Sequence, residues 1–264
     1  MPRLLKQFVE PPRACVYLPE QTAQLENKVM LDVSAAHFGQ MLVRGWRRFG
    51  PFYFRPACKA CGACLSVRLP VDRFVASTTQ RRTHKRLEKL RVEVGVPQVT
   101  PERLALYHRW HGFREDARGW AASELDEESY GLEFAFPHPA AREITYYDDE
   151  APGGPRLIGV GLSDITPVGV SAIYFYYDPE YARWSPGVMN VLCQLDLARA
   201  HGLPHVYLGY YVEGCASMRY KSTFRPHEIL AGRPADGEEP GWSEPTVPLG
   251  ETTLPVGVTA STLR

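Results

Sequence analysis

Apolar and polar positions follow two different periods in the first hundred residues. The stretch "LSVRLPV" at 65–71 alternates with a period of two, which predicts a short strand. The stretch at 77–91 predicts a helix, with Ser77 as its N-cap and Gln80 in the position that completes a capping box. The residues at 92–96 then return to a strand pattern.

A second helix is predicted at 100–115, where Thr100 is the N-cap and Pro101 takes the first helical position. The acidic stretch at 123–135 predicts a short helix. β-branched and aromatic runs bounded by Gly, Pro and Asp fill the second half. They predict strands at 142–150, 156–166, 169–179, 205–211 and 224–230, with a helix at 186–202 and a helical turn at 215–221. This order predicts a mixed α/β layer architecture.

The composition divides the chain into three parts. We expect a first unit at 1–97, which holds the clustered cysteines and most of the basic residues, and a second unit at 98–230. Residues 231–264 contain five prolines and five glycines without apolar periodicity. Such a segment buries little apolar surface, so we expect a loosely ordered, flexible tail.

The overall composition is that of a globular protein, with 264 residues of which 44% are hydrophobic and 23% charged. No stretch approaches the roughly 20 apolar residues that span a bilayer, so no membrane partner is expected. The first residues lack the apolar core and cleavage site of a signal peptide. We therefore expect a cytosolic protein whose six cysteines are reduced thiols.

The net charge is zero, but the charges are unevenly distributed. Residues 42–91 contain 13 Lys or Arg against two acids, whereas residues 115–150 contain 11 acids against two arginines. This asymmetry indicates either a polyanion-binding face on the first half or two solvated surfaces that neutralise each other.

Three cysteines at a spacing of three, Cys58, Cys61 and Cys64, are able to curl around one ion. A tetrahedral zinc site needs a fourth ligand, for which Cys15 is the first candidate and His84 the alternative. An iron–sulfur cluster also takes four cysteines. Three half-buried thiols without a metal are the remaining interpretation.

The helix after the cysteines is strongly basic. Its cations form stripes, because residues four apart share a helix face. They are Arg81, Arg82, Lys85, Arg86 and Lys89. Such a stripe is suited to phosphates, which supply most of the non-specific affinity for nucleic acids.

Two segments carry longer motifs. Segment 52–86 contains Tyr-x-Arg-Pro ahead of the cysteines and a Ser…Gln-Arg-Arg run. Segment 174–230 contains Tyr-Tyr-Asp-Pro, Tyr-Leu-Gly-Tyr-Tyr and Gly-Cys-x-x-Met-x-Tyr-Lys-x-x-Phe-x-Pro. Over roughly residues 13–230 the chain resembles the aminoacyl-tRNA–protein transferases, the arginyl/leucyl-transferase family of the N-degron pathway. Leu87 departs from the bacterial pattern, which has Asn there.

The resemblance implies transfer of an amino acid from its tRNA to the α-amine of a protein that begins with Asp or Glu. Bacterial members of this length transfer leucine and eukaryotic relatives transfer arginine, so leucine is expected and arginine stays open. The C-terminal half is expected to have an acetyltransferase-like (GNAT-like) fold. No cofactor is required for the chemistry, but some members bind an iron–sulfur cluster, which supports Cys15, Cys58, Cys61 and Cys64 as one set.

The implied reaction needs little activation, because the donor is an ester and an α-amine has a pKa near 7.7–8.0. The enzyme aligns the two groups, stabilises an oxyanion and accepts a proton. We expect Tyr220, Lys221 and Asp178 to be catalytic: Tyr220 donates a hydrogen bond or stacks on the terminal adenosine, and Asp178 binds the donor ammonium. The residues expected to bind tRNA or the acceptor carboxylate are Arg55, Arg81, Arg82, Lys85, Arg86, Arg219 and Arg225.

Two other functions stay open. A CoA-dependent N-acyltransferase would share the fold, but "RWSPGV" at 183–188 has one glycine where a pyrophosphate-binding loop needs more. A non-catalytic zinc module that binds RNA would explain the cysteines and the basic helix. At residue level, Asp178 is alternatively a turn residue before Pro179.

Overall fold

The computed structural model describes residues 1–118, 122–123 and 125–250. The strands are β1 (Arg3–Val9), β2 (Arg13–Ala14), β3 (Thr22–Ala23), β4 (Leu25–Leu31), β5 (Arg47–Phe49), β6 (Phe52–Pro56), β7 (Leu65–Pro70), β8 (Arg91–Gly95), β9 (Ala141–Asp148), β10 (Arg156–Thr166), β11 (Gly169–Tyr177), β12 (His205–Tyr211), β13 (Glu228–Leu230) and β14 (Trp242–Ser243). The α-helices are α1 (Ala35–Leu42), α2 (Thr78–His84), α3 (Pro101–Arg118), α4 (Glu127–Phe134) and α5 (Pro186–Ala200). Short 3₁₀ helices lie at Leu87–Lys89, Pro179–Trp184 and Arg219–Thr223.

A large mixed sheet organises the molecule. Its eight strands run in the order β14-β13-β7-β12-β11-β10-β9-β8, and a second sheet has the order β1-β4-β6-β5. In the large sheet β11 and β12 are parallel, whereas the other paired neighbours are antiparallel. The predicted α/β architecture is therefore confirmed. The domain boundary predicted at residue 97 divides this sheet, because β7 and β8 come before it in the chain and β9–β14 come after it. The separate roles of residues 1–97 and 98–230 stay a prediction.

The predicted helices form largely where their caps indicate. Ser77 accepts a hydrogen bond from the backbone N–H of Gln80, and the Gln80 side chain accepts one from the backbone N–H of Ser77. The α-helix that they begin ends at His84 and not at 91, because the chain tightens into a 3₁₀ turn before β8.

Helices cover the large sheet and form its core. Residues Leu106, Tyr107 and Trp110 of α3 are buried in one apolar cluster with β10 and β11. Helix α5 is buried on much of its surface and packs on α2, β11 and β12. Among the described helices, none is both long and apolar enough to cross a membrane.

The small N-terminal sheet is joined to the large sheet by two arginines of β5. Arg48 forms a buried ion pair with Asp164 of β10, in which two of its nitrogens donate to the carboxylate. Arg47 donates to the backbone oxygen of Ala172 in β11. Breaking a buried pair by removing one partner leaves an uncompensated charge, so these contacts fix how the two sheets meet.

The expectation of a loosely ordered tail is wrong for residues 231–250. The indole Nε1 of Trp242 donates to the Val43 oxygen at 2.9 Å, and the Arg68 guanidinium lies 4.4 Å from the Trp242 ring centre. Leu249 is buried in the core beside β12. Isolated apolar residues between the prolines and glycines anchor this segment, which a search for periodicity does not detect. Residues 251–264 of the predicted tail lie outside the described residues.

Candidate functional site

Strands β11 and β12 separate soon after they meet. Their parallel pairing is limited to Val170 with Val206 and Ser171 with Tyr207. On the other side of β11, Ala172 pairs with Ser163 but Tyr174 pairs with Leu162, so Ile173 is one extra residue in the ladder. Beyond this bulge the edge of β11 that faced β12 has no β12 partner, and a cleft opens between the two strands.

Arg47 lies at the base of the cleft. This buried side chain donates to the Ala172 oxygen on β11, and its guanidinium passes close to Gly209 on β12. Gly209 has φ +77, which favours glycine, and a Cβ there would come 3.4 Å from Arg47 Nη2. Arg47 therefore occupies the position where further pairing between the strands would otherwise form.

A cavity of about 590 Å³ fills the cleft. It is bounded by β11, the beginning of α5, part of α3 and the 3₁₀ turn after β12. Its lining residues are Tyr17, Trp110, Arg114, Ala172, Ile173, Tyr174, Phe175, Tyr177, Ala182, Ser185, Pro186, Gly187, Val188, Asn190, Val191, Leu208, Ala216, Ser217, Met218, Tyr220 and Lys221. Two cavities of about 710 Å³ each lie elsewhere and include none of the predicted site residues.

Lys221 is held inside this cavity by the backbone. Its Nζ donates to the Tyr210 oxygen of β12 at 2.7 Å. Burial lowers the pKa of Lys221 from 10.5 to about 7, the positive charge of Arg47 lowers it further in the same direction, and Cys215 opposes the shift. A large fraction of Lys221 is therefore neutral at physiological pH and able to accept a proton.

Tyr220 lies beside Lys221 at the rim of the cavity, with 38% of its surface exposed. Its ring meets Phe224 edge to face, at 6.5 Å between ring centres. Phe224 is fully buried, so the turn that presents both predicted catalytic residues is anchored in the core. An exposed ring on a fixed turn is suited to stacking on a base.

The first turn of α5 forms another wall. Ser185 precedes the helix in the left-handed conformation, with φ 58, and Pro186 and Gly187 follow it. One turn further, the Asn190 side-chain oxygen accepts a hydrogen bond from the Tyr146 hydroxyl at 2.9 Å. Asn190 also lies directly over Gly161 of β10, where a Cβ would come 2.2 Å from its Oδ1.

Asp178 is not among the residues that line the cavity. It is 1% exposed, and its Oδ2 accepts from Arg109 at 3.1 Å and from Arg156 at 2.5 Å. Its Oδ1 accepts from the backbone N–H of Glu180 at 3.1 Å, which caps the 3₁₀ helix after β11. These contacts agree with the alternative interpretation of Asp178 as a turn residue, and its binding of the donor ammonium stays a prediction.

The basic helix α2 lies next to the 3₁₀ helix at Arg219–Thr223. Gln80 Nε2 donates to the Thr223 oxygen at 3.1 Å, in the 3₁₀ helix that contains Tyr220 and Lys221. Beyond the helix, Arg86 donates to the Arg183 oxygen at 3.2 Å, two residues before Ser185 of the cavity wall. The exposed predicted cations on the helix and its C-cap are Arg81, Arg82 and Lys85. None of them lines the cavity, but they flank it.

The other predicted arginines lie outside the cavity lining. Arg55 pairs with Glu26 at 2.8 Å, donates to the Pro234 oxygen at 2.8 Å and lies over Trp46. Arg219 and Arg225 are both exposed, Arg219 at the start of that 3₁₀ helix and Arg225 two residues past its end, and Arg225 Nε donates to the Ser222 backbone oxygen. Their roles in binding tRNA or acceptor stay predictions.

The four predicted metal ligands are neighbours. Burial raises the pKa of Cys64 to about 11, and the charges of Cys58, Cys15 and Cys61 contribute to the same shift. Four thiols match the donor set of zinc or of an iron–sulfur cluster. In the described part of the chain, however, no group of three or more His, Cys, Asp or Glu is arranged to hold a metal ion. The metal site stays a prediction.

Tyr17 connects the thiols to the cavity. Tyr17 lines the cavity. Burial is the main cause that raises its pKa, and the charges of Cys64, Cys215 and Cys15 act in the same direction. The cysteine loop is also covered by Arg233, which donates to the backbone oxygens of Cys58 and Cys61 at 3.0 and 2.9 Å. The thiols thus lie behind Tyr17 and do not line the cavity themselves.

Sequence reasoning missed two cations of the site, Arg47 and Arg114. Arg114 lies one helical turn after Trp110, and its guanidinium stacks on that ring at 3.9 Å. The spacing of four residues in a predicted helix was a usable signal for this pair. Arg47 had no such signal, because Ala172, whose backbone oxygen accepts its hydrogen bond, is 125 residues away in the sequence.

Comparison with known proteins gives two family matches. Residues 13–82 match "Arginine-tRNA-protein transferase, N terminus" and residues 102–231 match "Arginine-tRNA-protein transferase, C terminus". Among solved structures, L-PGS from Bacillus licheniformis is similar with a TM-score of 0.43 and 13% identity, covering 59% of this chain and 49% of that one.

Curated relatives match over most of their length. The aspartate/glutamate leucyltransferase of Helicobacter hepaticus is 32% identical over 90% of this chain and 97% of the relative. The protein of the same name in Halorhodospira halophila is 37% identical over 83% of this chain and 91% of the relative. With both family regions matched in order and relatives 32% and 37% identical over most of their length, the chain belongs to the arginine-tRNA-protein transferase family of aminoacyltransferases.

Proposed function

We propose that this enzyme transfers leucine from leucyl-tRNA to the α-amine of proteins that begin with Asp or Glu, as an N-degron mark. The names of the relatives support this substrate pair. The structural observation that carries it is the cavity between β11 and β12, which joins Lys221, Tyr220 and a largely apolar wall in one space. Aminoacyl-tRNA and proteins that begin with Asp or Glu are its expected partners.

The proposed fold of the catalytic half is acetyltransferase-like. The two parallel strands β11 and β12 support this assignment, because they separate after two residue pairs. A bulge at Ile173 lies beside the opening. Backbone N–H groups along the separated edge of β11 are the proposed donors to the oxyanion. Donors fixed in a folded strand need little reorganisation when charge develops on the carbonyl oxygen.

In the proposed reaction the acceptor α-amine attacks the ester carbonyl carbon of the aminoacyl-tRNA. A C–N bond forms, and the C–O bond to the terminal ribose breaks. Neutral Lys221 takes the proton released by the amine and returns it to the departing ribose oxygen, so the products are an extended protein and uncharged tRNA. Tyr220 is the proposed stacking partner of the terminal adenosine, which its exposed position at the rim supports.

The lining of the cavity supports leucine as the donor amino acid. Its apolar members include Ile173, Phe175, Val188, Val191, Leu208 and Met218. Of the described residues that line the cavity, none is Asp or Glu. The guanidinium of an arginyl donor would lose its hydration here without gaining a carboxylate partner, which is costly, whereas a leucyl side chain gains from burial.

The proposed tRNA contacts are the cations that flank the cavity, Arg81, Arg82 and Lys85, with Arg86 beyond the helix. Their contribution is electrostatic and independent of sequence. The thiols Cys15, Cys58, Cys61 and Cys64 remain the proposed ligands for zinc or an iron–sulfur cluster. Metal analysis of protein purified without chelators tests this, and protein free of both metals would identify them as plain thiols.

Mass spectrometry of a peptide that begins with Asp tests the proposed function. The full chain is incubated with the peptide and either leucyl-tRNA, arginyl-tRNA or acetyl-CoA. We expect one added leucine with the first donor and little product with the others. The same peptide with an acetylated N-terminus is the control, since it lacks the attacking amine. Product from acetyl-CoA alone, or from neither tRNA, would overturn the proposal.

A further inference from the structure

Asn190 presents a hydrogen-bond donor to the cavity from the α5 wall. The residue is 4% exposed and lines the cavity. Its Oδ1 accepts a hydrogen bond from the Tyr146 hydroxyl at 2.9 Å. In the part of the chain that the structure describes, no hydrogen bond involves its Nδ2, and this atom is not fully enclosed by protein. The open side of the amide is therefore its NH₂ group, which faces the cavity.

The neighbours of Asn190 hold the amide in this orientation. Burial raises the pKa of Tyr146 well above its ordinary value, so the hydroxyl keeps its proton and donates it to Oδ1. Gly161 of β10 lies directly under the amide, where a Cβ would come 2.2 Å from Oδ1. The glycine thus leaves room for the amide against the sheet, and Tyr146 fixes its oxygen end. A donor fixed in this way needs little reorganisation when charge develops on a substrate.

The substrate has to supply the acceptor for this donor. A bound substrate displaces water from the cavity, and a buried N–H without a partner is costly. Asn190 lies between Val188 and Val191 on α5, and both belong to the apolar lining proposed to hold the leucyl side chain. That side chain has no acceptor, and a protonated α-amine only donates. The acceptor that a leucyl ester offers next to its side chain is the carbonyl oxygen, which gains negative charge when the amine attacks.

We propose that Asn190 Nδ2 donates to the ester carbonyl oxygen of leucyl-tRNA and stabilises the oxyanion, and that Tyr146 positions the amide. This inference rests on the proposed function, because it names a catalytic residue for the same reaction. As the C–N bond forms, the carbonyl electron pair moves to the oxygen and the hydrogen bond from Asn190 strengthens. When the carbonyl re-forms, the C–O bond to the ribose breaks, and the ribose oxygen receives its proton from Lys221.

The test separates a donor to the transition state from a group that binds the ground state. It measures kcat and the KM values for leucyl-tRNA and for a peptide that begins with Asp. The variants are Asn190→Ala and Asn190→Asp. Arg199→Met is the matched control, because Arg199 lies in the last turn of the same helix and outside the cavity lining.

We expect N190A to lower kcat by about 10²- to 10³-fold and to leave both KM values unchanged. N190D should lower kcat at least as much. Its carboxylate has nearly the same shape and still accepts from Tyr146, but it cannot donate and it repels the developing oxyanion. R199M should leave all three parameters at their wild-type values.

Tyr146→Phe tests the positioning role in a double-mutant cycle. This change removes the hydrogen bond to Oδ1, so kcat should fall by about 2- to 10-fold in the wild-type background. In the N190A background it should cause no further loss, because the amide that Tyr146 positions is already absent. An equal loss in both backgrounds would show a merely structural role of Tyr146 and would refute the positioning.

A kcat that N190A and N190D leave at the wild-type value would overturn the inference, as would a loss confined to the KM for leucyl-tRNA. If wild-type protein does not extend the peptide, the proposed function fails instead, so the two failures are distinct. Circular dichroism and thermal melting monitor folding of each variant. Should N190A not fold, N190D carries the same expectation, because it fills the same volume.

Discussion

The lowered pKa of Lys221 predicts a specific pH dependence of the reaction. With a pKa of about 7, half of the lysine is neutral at pH 7. At its ordinary value of 10.5, only about one molecule in 3,000 would be neutral at that pH. The environment of the side chain therefore raises the concentration of the base by about three orders of magnitude.

The groups around Lys221 determine in which direction a substitution moves its pKa. Burial is the main cause of the shift, Arg47 from β5 adds to it, Cys215 opposes it, and the Tyr210 carbonyl accepts from the ammonium. Because the pKa is lowered, the neutral form is present above pH 7 and is lost as the pH falls through that value. Removing Arg47 takes away a neighbouring positive charge, so the pKa of Lys221 should rise and the active range should move to higher pH.

The assay is the single-turnover rate of peptide extension from leucyl-tRNA between pH 5.5 and 8.5. We expect the wild-type rate to rise through an inflection near pH 7 and to level off only above the pKa of the acceptor amine, near 7.7–8.0. Lys221→Met should lower the rate by about 10²- to 10⁴-fold and remove that inflection. The titration of the acceptor amine, near pH 7.7–8.0, should remain in this variant and identifies the part of the profile that belongs to the substrate.

Arg47→Met is the informative second variant, and Arg47→Lys its charge-retaining control. We expect R47M to shift the inflection upward, whereas R47K keeps it closer to the wild-type position. A merely structural effect of R47M would lower the rate equally at every pH. An inflection that survives in the K221M variant would refute the assignment of Lys221 as the base, and an unmoved inflection in R47M would refute its electrostatic coupling to Arg47.

Three further changes have clear expected outcomes. Gly161→Ala should destabilise the fold by about 1–3 kcal/mol in urea unfolding, because its Cβ would meet Asn190 Oδ1 at 2.2 Å. Gly112→Ala, in the interior of α3 with open space around it, should instead stabilise by about 0.4–1 kcal/mol. Arg81→Ala combined with Arg82→Ala should weaken tRNA binding and reduce its salt dependence by about one to two counterions, and an unchanged slope would assign both residues to a structural role.

Local signals in the sequence were sufficient for the elements around the site. The capping box of Ser77 with Gln80 identified the start of α2, and the aromatic run that ends in Asp178 identified β11. The turn that contains Tyr220 and Lys221 was also found, and the structure places both at one cavity. These features depend on neighbours within a few residues, which is why a single sequence predicts them.

The features that the sequence left unpredicted depend on distant partners. Asp178 follows a strand in a matching motif, but its carboxylate pairs with Arg109, which is 69 residues away, and with Arg156. The cleft exists because β11 and β12 pair over two residues only, and no local pattern encodes where pairing stops. Arg47 reaches that position from a different sheet. Each of these contacts requires the tertiary structure.

The site places arginine and lysine in different physical roles. A guanidinium remains charged when it is buried, so Arg47 acts as a fixed charge at the base of the cleft. An ammonium loses its proton more readily on burial, and Lys221 does so beside that fixed charge. The same exclusion of water therefore leaves one fixed cation, Arg47, beside one lysine that is largely neutral near pH 7. Lys221→Arg would keep the net charge but should lower the single-turnover rate and remove the inflection near pH 7, because a guanidinium keeps its proton at physiological pH and cannot accept another.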